Sequence, residues 1–169
     1  MAETLIETKL QNFSAKHIID TLLPYLSDRR QLRINEVLDR RLSSIQLVLE
    51  SPCDINNAFA ILRTCECFGI QTLHVIKPEG ETTCIRRLTR GAMHWVDIQQ
   101  HDSFEQFMHT VDRKHCILAG GTLNTSQSIT EVPIDQPLYL LLGNERLGLS
   151  LTAQQACDIR YQIPMCGMS

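Results

Sequence analysis

No apolar run in this sequence approaches the roughly 20 residues that a membrane-crossing helix needs, so no membrane partner is expected. No Gly-x-Gly-x-x-Gly turn follows any predicted strand, which disfavours a dinucleotide site of the Rossmann type. The six histidines are scattered without His-Glu-x-x-His or comparable spacing. Cys65 and Cys67 are one residue apart on a predicted helix and face different directions, so no metal site is expected. Internal repeats and low-complexity stretches are missing too. The opening residues, MAETLIETKL, carry acidic groups and no apolar centre, which argues against a secretory leader. The seven cysteines are odd in number and spread through apolar segments. That distribution is expected of reduced, mostly buried thiols in a cytoplasmic protein rather than of a disulfide framework.

A net charge of −3 argues against indiscriminate binding to nucleic acid, yet it averages over two arginine clusters. Arg29, Arg30, Arg33, Arg40 and Arg41 stand among Asp28, Glu36 and Asp39, and Arg86, Arg87 and Arg90 form a second group. Each cluster can neutralise a few phosphates of a structured RNA, and each can equally be a solvated helix face. The remaining composition, 43% apolar and 21% charged, is that of a globular domain long enough to bury a core.

Periodicity divides the chain. Residues 14–26 and 28–42 carry apolar side chains at helical spacing, broken at Pro24 and restarted at a Ser27-Asp28 cap. They predict a small helical arm over 1–43, with a domain over 44–169. In that domain strand-like and helix-like segments alternate: a strand at 45–50, then a helix at 56–68 capped by Asp54 and closed by Gly69. A strand at 72–76 and a helix at 82–90 follow. Next come a strand at 95–99, a helix at 103–113 and a strand at 115–119. After a loop-rich stretch (120–135), a strand ends at Gly143, a short helix covers 152–157, and a last strand starts at 159. Trp95 reads as a core residue. The alternation predicts an α/β fold, a mainly parallel sheet with helices on both faces.

The most informative stretch is PLYLLLGNERLGLS, 137–150. Five apolar residues in a row suit a strand buried on both faces. They stop abruptly at Gly143, Asn144, Glu145 and Arg146, at the edge where parallel sheets bind ligands. The segment IRYQIPMCGMS at 159–169 offers a second strand end of the same kind. Together with NAFAILR at 57–63, these segments resemble the three motifs of the SpoU group of SPOUT RNA methyltransferases, in the family's order and over residues 28–169. They are most similar to the TrmH-like branch, the tRNA guanosine-18 ribose 2′-O-methyltransferases. The resemblance implies a trefoil-knotted domain, S-adenosylmethionine as cofactor, tRNA as partner and a homodimer. It also implies that the third motif continues past Ser169 and that the knot closes there. Sister enzymes acting on ribosomal RNA share all three motifs, and a non-catalytic RNA-binding module is the alternative for a chain that ends at Ser169.

On that resemblance Arg63, Asn57 and Glu145 are the candidate catalytic residues. A guanidinium does not readily give up a proton, so Arg63 suits stabilising a developing oxyanion or gripping a phosphate; the bland alternative is a helix arginine paired with Glu66. Asn57 stands six residues before Arg63 and can orient a nucleotide or cap the helix start. Glu145 can fix Arg63, hold a ribose, or bridge to Arg146 or Arg160. Backbone groups at Gly120, Leu142, Gly143, Ile163 and Met165 are the candidates for holding the cofactor, unless these glycines only make tight turns.

Overall fold

The computed structural model describes residues 12–77 and 95–167. The chain divides into two compact units between Arg40 and Arg41. In the first, the Ser14 hydroxyl accepts from the His17 amide and starts helix α1, Ala15–Leu22. Pro24 then forces a short 3-10 turn, Leu23–Tyr25. Ser27 caps α2, Asp28–Leu38. Asp39 ends that helix, short of the predicted residue 42, and leaves Arg40 and Arg41 beyond it. The predicted helix at 82–90, with Arg86, Arg87 and Arg90, lies outside the described residues.

Among the described residues, the second unit is one sheet of six strands, every pair parallel. They are β1 (Ile45–Glu50), β2 (Thr72–Ile76), β3 (Asp97–His101), β4 (Ile117–Gly121), β5 (Leu138–Leu142) and β6 (Ile159–Tyr161). Their order is β3-β2-β1-β5-β4-β6. The order reverses between β1 and β5, which is where an open parallel sheet makes its crevice. Helix α3, Ile55–Phe68, forms because Asp54 accepts from Asn56 at its start and Gly69, at φ 78°, closes its end. It covers one face: Ala58, Leu62 and Cys65 pack on Leu47, Leu49, Leu73 and Val75. Helices α4 (Phe104–Met108) and α5 (Leu151–Ala156) belong to the other face. There Phe104, Phe107 and Ala153 meet Val48, Leu118, Tyr139 and Leu141. The side chains of β1 therefore divide between the two cores by simple alternation.

Several boundaries differ from the sequence reading. Strands β3 and β4 begin two residues later than predicted, because the ladder pairs Thr72 with Asp97 and Ile117 with Leu138. Trp95 thus precedes its strand and is 46% exposed rather than core. Helix α4 stops at Met108 instead of 113, with the Thr110 hydroxyl donating to the Phe107 carbonyl beyond its end. A bidentate pair between Arg113 and Asp158, 2.8 Å on each arm, ties that region to the turn before β6. The expected burial of cysteines is partial: Cys65 is buried, while Cys53, Cys67 and Cys166 are exposed.

Candidate functional site

Past the carboxyl ends of β4, β5 and β6 lies a cleft of about 480 Å³. Leu142, Leu147, Ile163 and Met165 give it apolar walls, and Gly121, Gly143 and Tyr161 also line it. Among the described residues of the lining, Glu145 is the only acidic one and Arg146 the only basic one. Burial holds the Tyr161 phenol up at about 12, with nearby Cys157 adding to the shift, so it lines the cleft as a neutral hydroxyl. Such walls suit a flat apolar group with a few main-chain hydrogen bonds, not a pyrophosphate.

The wall of the cleft is the loop from Gly143 to Ser150, and it is folded tightly. A Cβ on Gly143 would lie 2.1 Å from the Gly148 carbonyl carbon and 2.2 Å from the Leu149 nitrogen. Only glycine permits that approach. Asn144 and Gly148 exchange backbone hydrogen bonds of 3.0 and 2.8 Å. The Asn144 Oδ1 also accepts from the Arg146 and Leu147 amides at 2.9 and 3.1 Å.

This loop is stapled at three places to the end of β1 and the turn that leads into α3. Asn144 Nδ2 donates to the Ser51 carbonyl at 2.6 Å, and Ser51 holds a left-handed φ of 51°. Buried Glu50 accepts from the Ser150 amide at 2.8 Å and its hydroxyl at 2.7 Å. The third staple is Glu145. Its Oε2 accepts from the Cys53 amide and from the Cys53 thiol, both at 2.9 Å. Its Oε1 accepts from Asn57 Nδ2 at 3.1 Å and, at 3.4 Å, from the Asp54 amide. The carboxylate thus sits at the amino end of α3, where unpaired amides and the helix dipole favour an anion. Partial burial pushes the Glu145 carboxyl up. The Cys53 thiol and amide, its own amide and Asn57 outweigh that and hold it at about 2.

The structure brings Asn57 and Glu145 together, 88 residues apart in sequence. It does not pair Glu145 with Arg63, Arg146 or Arg160 among the described residues. Asp54, not Asn57, caps the helix. Arg63 is exposed on α3, roughly 9 Å along the axis from Asn57 at 1.5 Å per residue, and Glu66 takes Arg41 as its partner at 3.7 Å. The Arg41 side chain is only 9% exposed, so it does not offer the open phosphate contact expected of it. Leu142, Gly143, Ile163 and Met165 all line the cleft, but Gly120 does not. A Cβ there would strike Cys157 Sγ at 2.7 Å and Leu149 Cδ1 at 2.9 Å; Gly120 permits core packing, and its neighbour Gly121 lines the cleft. Sequence reasoning places Asn144 only at the strand end and gives Cys53 no part in the site, whereas the structure uses both as anchors. Asp54 as a helix cap was the available signal, because the amides beside a cap are a natural anion site.

A parallel α/β sheet with an apolar-walled cleft past the carboxyl ends of β4, β5 and β6, beside a helix start that grips a carboxylate, defines a ligand-binding scaffold of the open-sheet class. Residues 44–169 match the SpoU rRNA Methylase family, and the chain belongs to that family. It is 32% identical over 143 residues to the tRNA (guanosine(18)-2′-O)-methyltransferase of Thermus thermophilus, covering 84% of this chain and 74% of that one. The crystal structure of the TrmH/SpoU tRNA modifying enzyme of A. aeolicus is 28% identical, with a TM-score of 0.69 over 84% of this chain and 73% of that one. A structure concerned with 2-OH methylation of C/U34 on tRNA is also 28% identical, with a TM-score of 0.62, covering 74% and 82%.

Proposed function

We propose that this protein transfers a methyl group from S-adenosylmethionine to a ribose 2′-hydroxyl of tRNA, at guanosine 18. The observation that carries the reading is a single loop, Gly143–Ser150, that walls the cleft and is also stapled to the start of α3 through Glu145. The cleft fits the cofactor: apolar walls for an adenine and a methionine chain, main-chain groups at three strand ends, and little fixed charge. Leu142, Gly143, Ile163 and Met165 would hold it. When bound, S-adenosylmethionine supplies an electrophilic methyl on a sulfonium.

The chain's own work is then positioning, which removes much of a transfer barrier. Glu145, ionised and occupied by its donors, is an anchor rather than a proton acceptor. It fixes Asn57, whose second amide hydrogen and Oδ1 have no partner among the described residues and are placed to orient the nucleotide. Arg63 supplies positive charge for the developing alkoxide or the adjacent phosphate. Arg29, Arg30, Arg33 and Arg40 serve as phosphate contacts; all are exposed. Homodimer assembly and a cytoplasmic location belong to the same reading, on the resemblance of the three motifs.

The test is transfer of labelled methyl from S-adenosylmethionine to unmodified tRNA, with nucleoside analysis. Formation of 2′-O-methylguanosine, lost when guanosine 18 is replaced, supports the assignment. Label on position 34, or on ribosomal RNA alone, would replace the substrate while keeping the reaction. No transfer to any RNA by a chain that binds the cofactor would overturn the reading.

A further inference from the structure

We propose that Cys53 is a positioning residue for methyl transfer, acting through Glu145. The inference rests on the function proposed above, and adds to it a residue outside the three motifs that carry the resemblance.

Three observations converge on this thiol. It points its S–H at Glu145 Oε2, 2.9 Å away, and its own backbone amide donates to the same oxygen at the same distance. One oxygen of the carboxylate is therefore held by two donors from a single residue, which fixes the carboxylate in both position and rotation. The other oxygen then faces Asn57 Nδ2 at 3.1 Å. Finally, Cys53 is exposed and belongs to none of the three apolar clusters, so it contributes no packing that would account for it structurally.

The chemistry follows from the donor inventory. A thiol donates one hydrogen bond, and donation to an ionised acceptor is stronger than to a neutral one. Removing that donor leaves the Cys53 and Asp54 amides and Asn57 in place but holds Oε2 by one donor instead of two, so the carboxylate settles less sharply. Asn57 follows, because its amide is tied to the same group. Misplacement of a positioning group by a fraction of an ångström lowers the rate of a transfer step, while the proposed cofactor contacts at Leu142, Gly143, Ile163 and Met165 keep their side chains and backbone. Hydrogen bonds to the ionised form also lower a carboxyl pKa, so losing one raises it.

The experiment compares wild type with Cys53→Ala and Cys53→Ser. Cys53→Ala should lower kcat about tenfold and leave the KM for S-adenosylmethionine within about twofold, while Cys53→Ser, which keeps an O–H donor, should recover most of kcat. Iodoacetamide should inactivate wild type faster than Cys53→Ser, in which the exposed Cys67 and Cys166 remain. In that step the Cys53 sulfur displaces iodide from the methylene carbon, a C–S bond forms as C–I breaks, and the thiol proton goes to solvent. Independently of activity, a carbon-13 titration of the Glu145 carboxyl should show its midpoint rise by about one unit in Cys53→Ala. An unchanged midpoint in Cys53→Ala overturns the inference whether or not the protein methylates RNA. Unchanged kcat in Cys53→Ala, or a serine variant as slow as the alanine one, overturns it as well. Absence of transfer by wild type, with the titration as expected, would sink the proposed reaction and leave the Cys53–Glu145 coupling standing.

Discussion

Mild acid should destabilise this protein from inside its sheet. His74 on β2 and His101 on β3 are 2% and 4% exposed. His74 Nδ1 meets His101 Nε2 at 2.9 Å, and His74 Nε2 meets Gln46 Oε1 at 2.7 Å. The two rings stack, with Phe107 edge-on to both and Tyr139 tilted against His74. With the Gln46 oxygen accepting, His74 donates from Nε2 and accepts at Nδ1, so the chain of bonds is satisfied by neutral rings. A proton on His74 would turn Nδ1 into a donor and force His101 to change tautomer and accept at Nε2. Burial first, and repulsion from His101 second, pull His74 from 6.5 down to about 4. Burial lowers His101 as well, against the opposing pull of Asp102. An unfolded histidine takes its proton near 6.5 and folded His74 only near 4. The neutral pair's advantage is therefore fully present above pH 6.5 and is lost as pH falls from 6.5 toward 4. At about 1.4 kcal/mol per pKa unit the His74 shift is worth roughly 3 kcal/mol, a large part of the roughly 5–15 kcal/mol that holds a domain folded. Urea unfolding followed by circular dichroism from pH 7.5 to 4.5 should show that loss. A His74→Gln variant, which cannot titrate, should show a shallower slope in the same window. The carboxyls of Glu145 and Asp158 are held low, so their contribution is lost only at more acid pH. Equal slopes for the two proteins would refute the reasoning.

Arg63→Ala should abolish detectable methyl transfer while the Kd for S-adenosylmethionine, measured by calorimetry, stays within about threefold of wild type, as expected for loss of charge stabilisation alone; retained turnover would remove Arg63 from the reaction. Gly143→Ala should weaken cofactor binding by tenfold or more, because the added methyl meets backbone atoms at 2.1 and 2.2 Å and the loop must open, a forced overpacking of order 1–3 kcal/mol. Leu62→Ala should cost about 2–5 kcal/mol in urea unfolding, since Leu62 is fully buried between α3 and the sheet. Ser51→Gly should leave stability unchanged or raise it by up to about 1 kcal/mol, since glycine takes the 51° φ without strain.

Local rules carried most of the fold. The run Leu138–Leu142 could only be a strand buried on both faces, and Asp54 and Gly69 bracket α3 because a cap acceptor and a left-handed residue are needed at those places. What escaped was set by partners distant in sequence. The ends of β3 and β4 follow from their ladders, not from their own composition. Gly120 and Gly121 show how fine the distinction is: a one-residue step along a strand exchanges core for cleft. Arg41 carries the composition of a surface residue, yet it lies buried against Glu66. The three motifs named Asn57 and Glu145, but their meeting depended on donors from Cys53 and Asp54, more than ninety residues before Glu145.

The choice of those donors bears on the chemistry. A bidentate pair between Glu145 and Arg63 would have been the simpler expectation, and it would have spent the guanidinium's fork on a neighbouring carboxylate. Anchoring the loop with helix-end amides, a thiol and the Asn57 amide satisfies the carboxylate without consuming a cation. The helix dipole at α3's first turn is thereby used to hold the carboxylate, and the exposed Arg63 guanidinium has no carboxylate partner among the described residues. Asp54 fills the helix cap, and Asn57, inside the first turn, is free to donate to the same anchor. One carboxylate therefore does two things that the sequence leaves entangled: it holds the cleft's wall in place and fixes Asn57 at the start of α3.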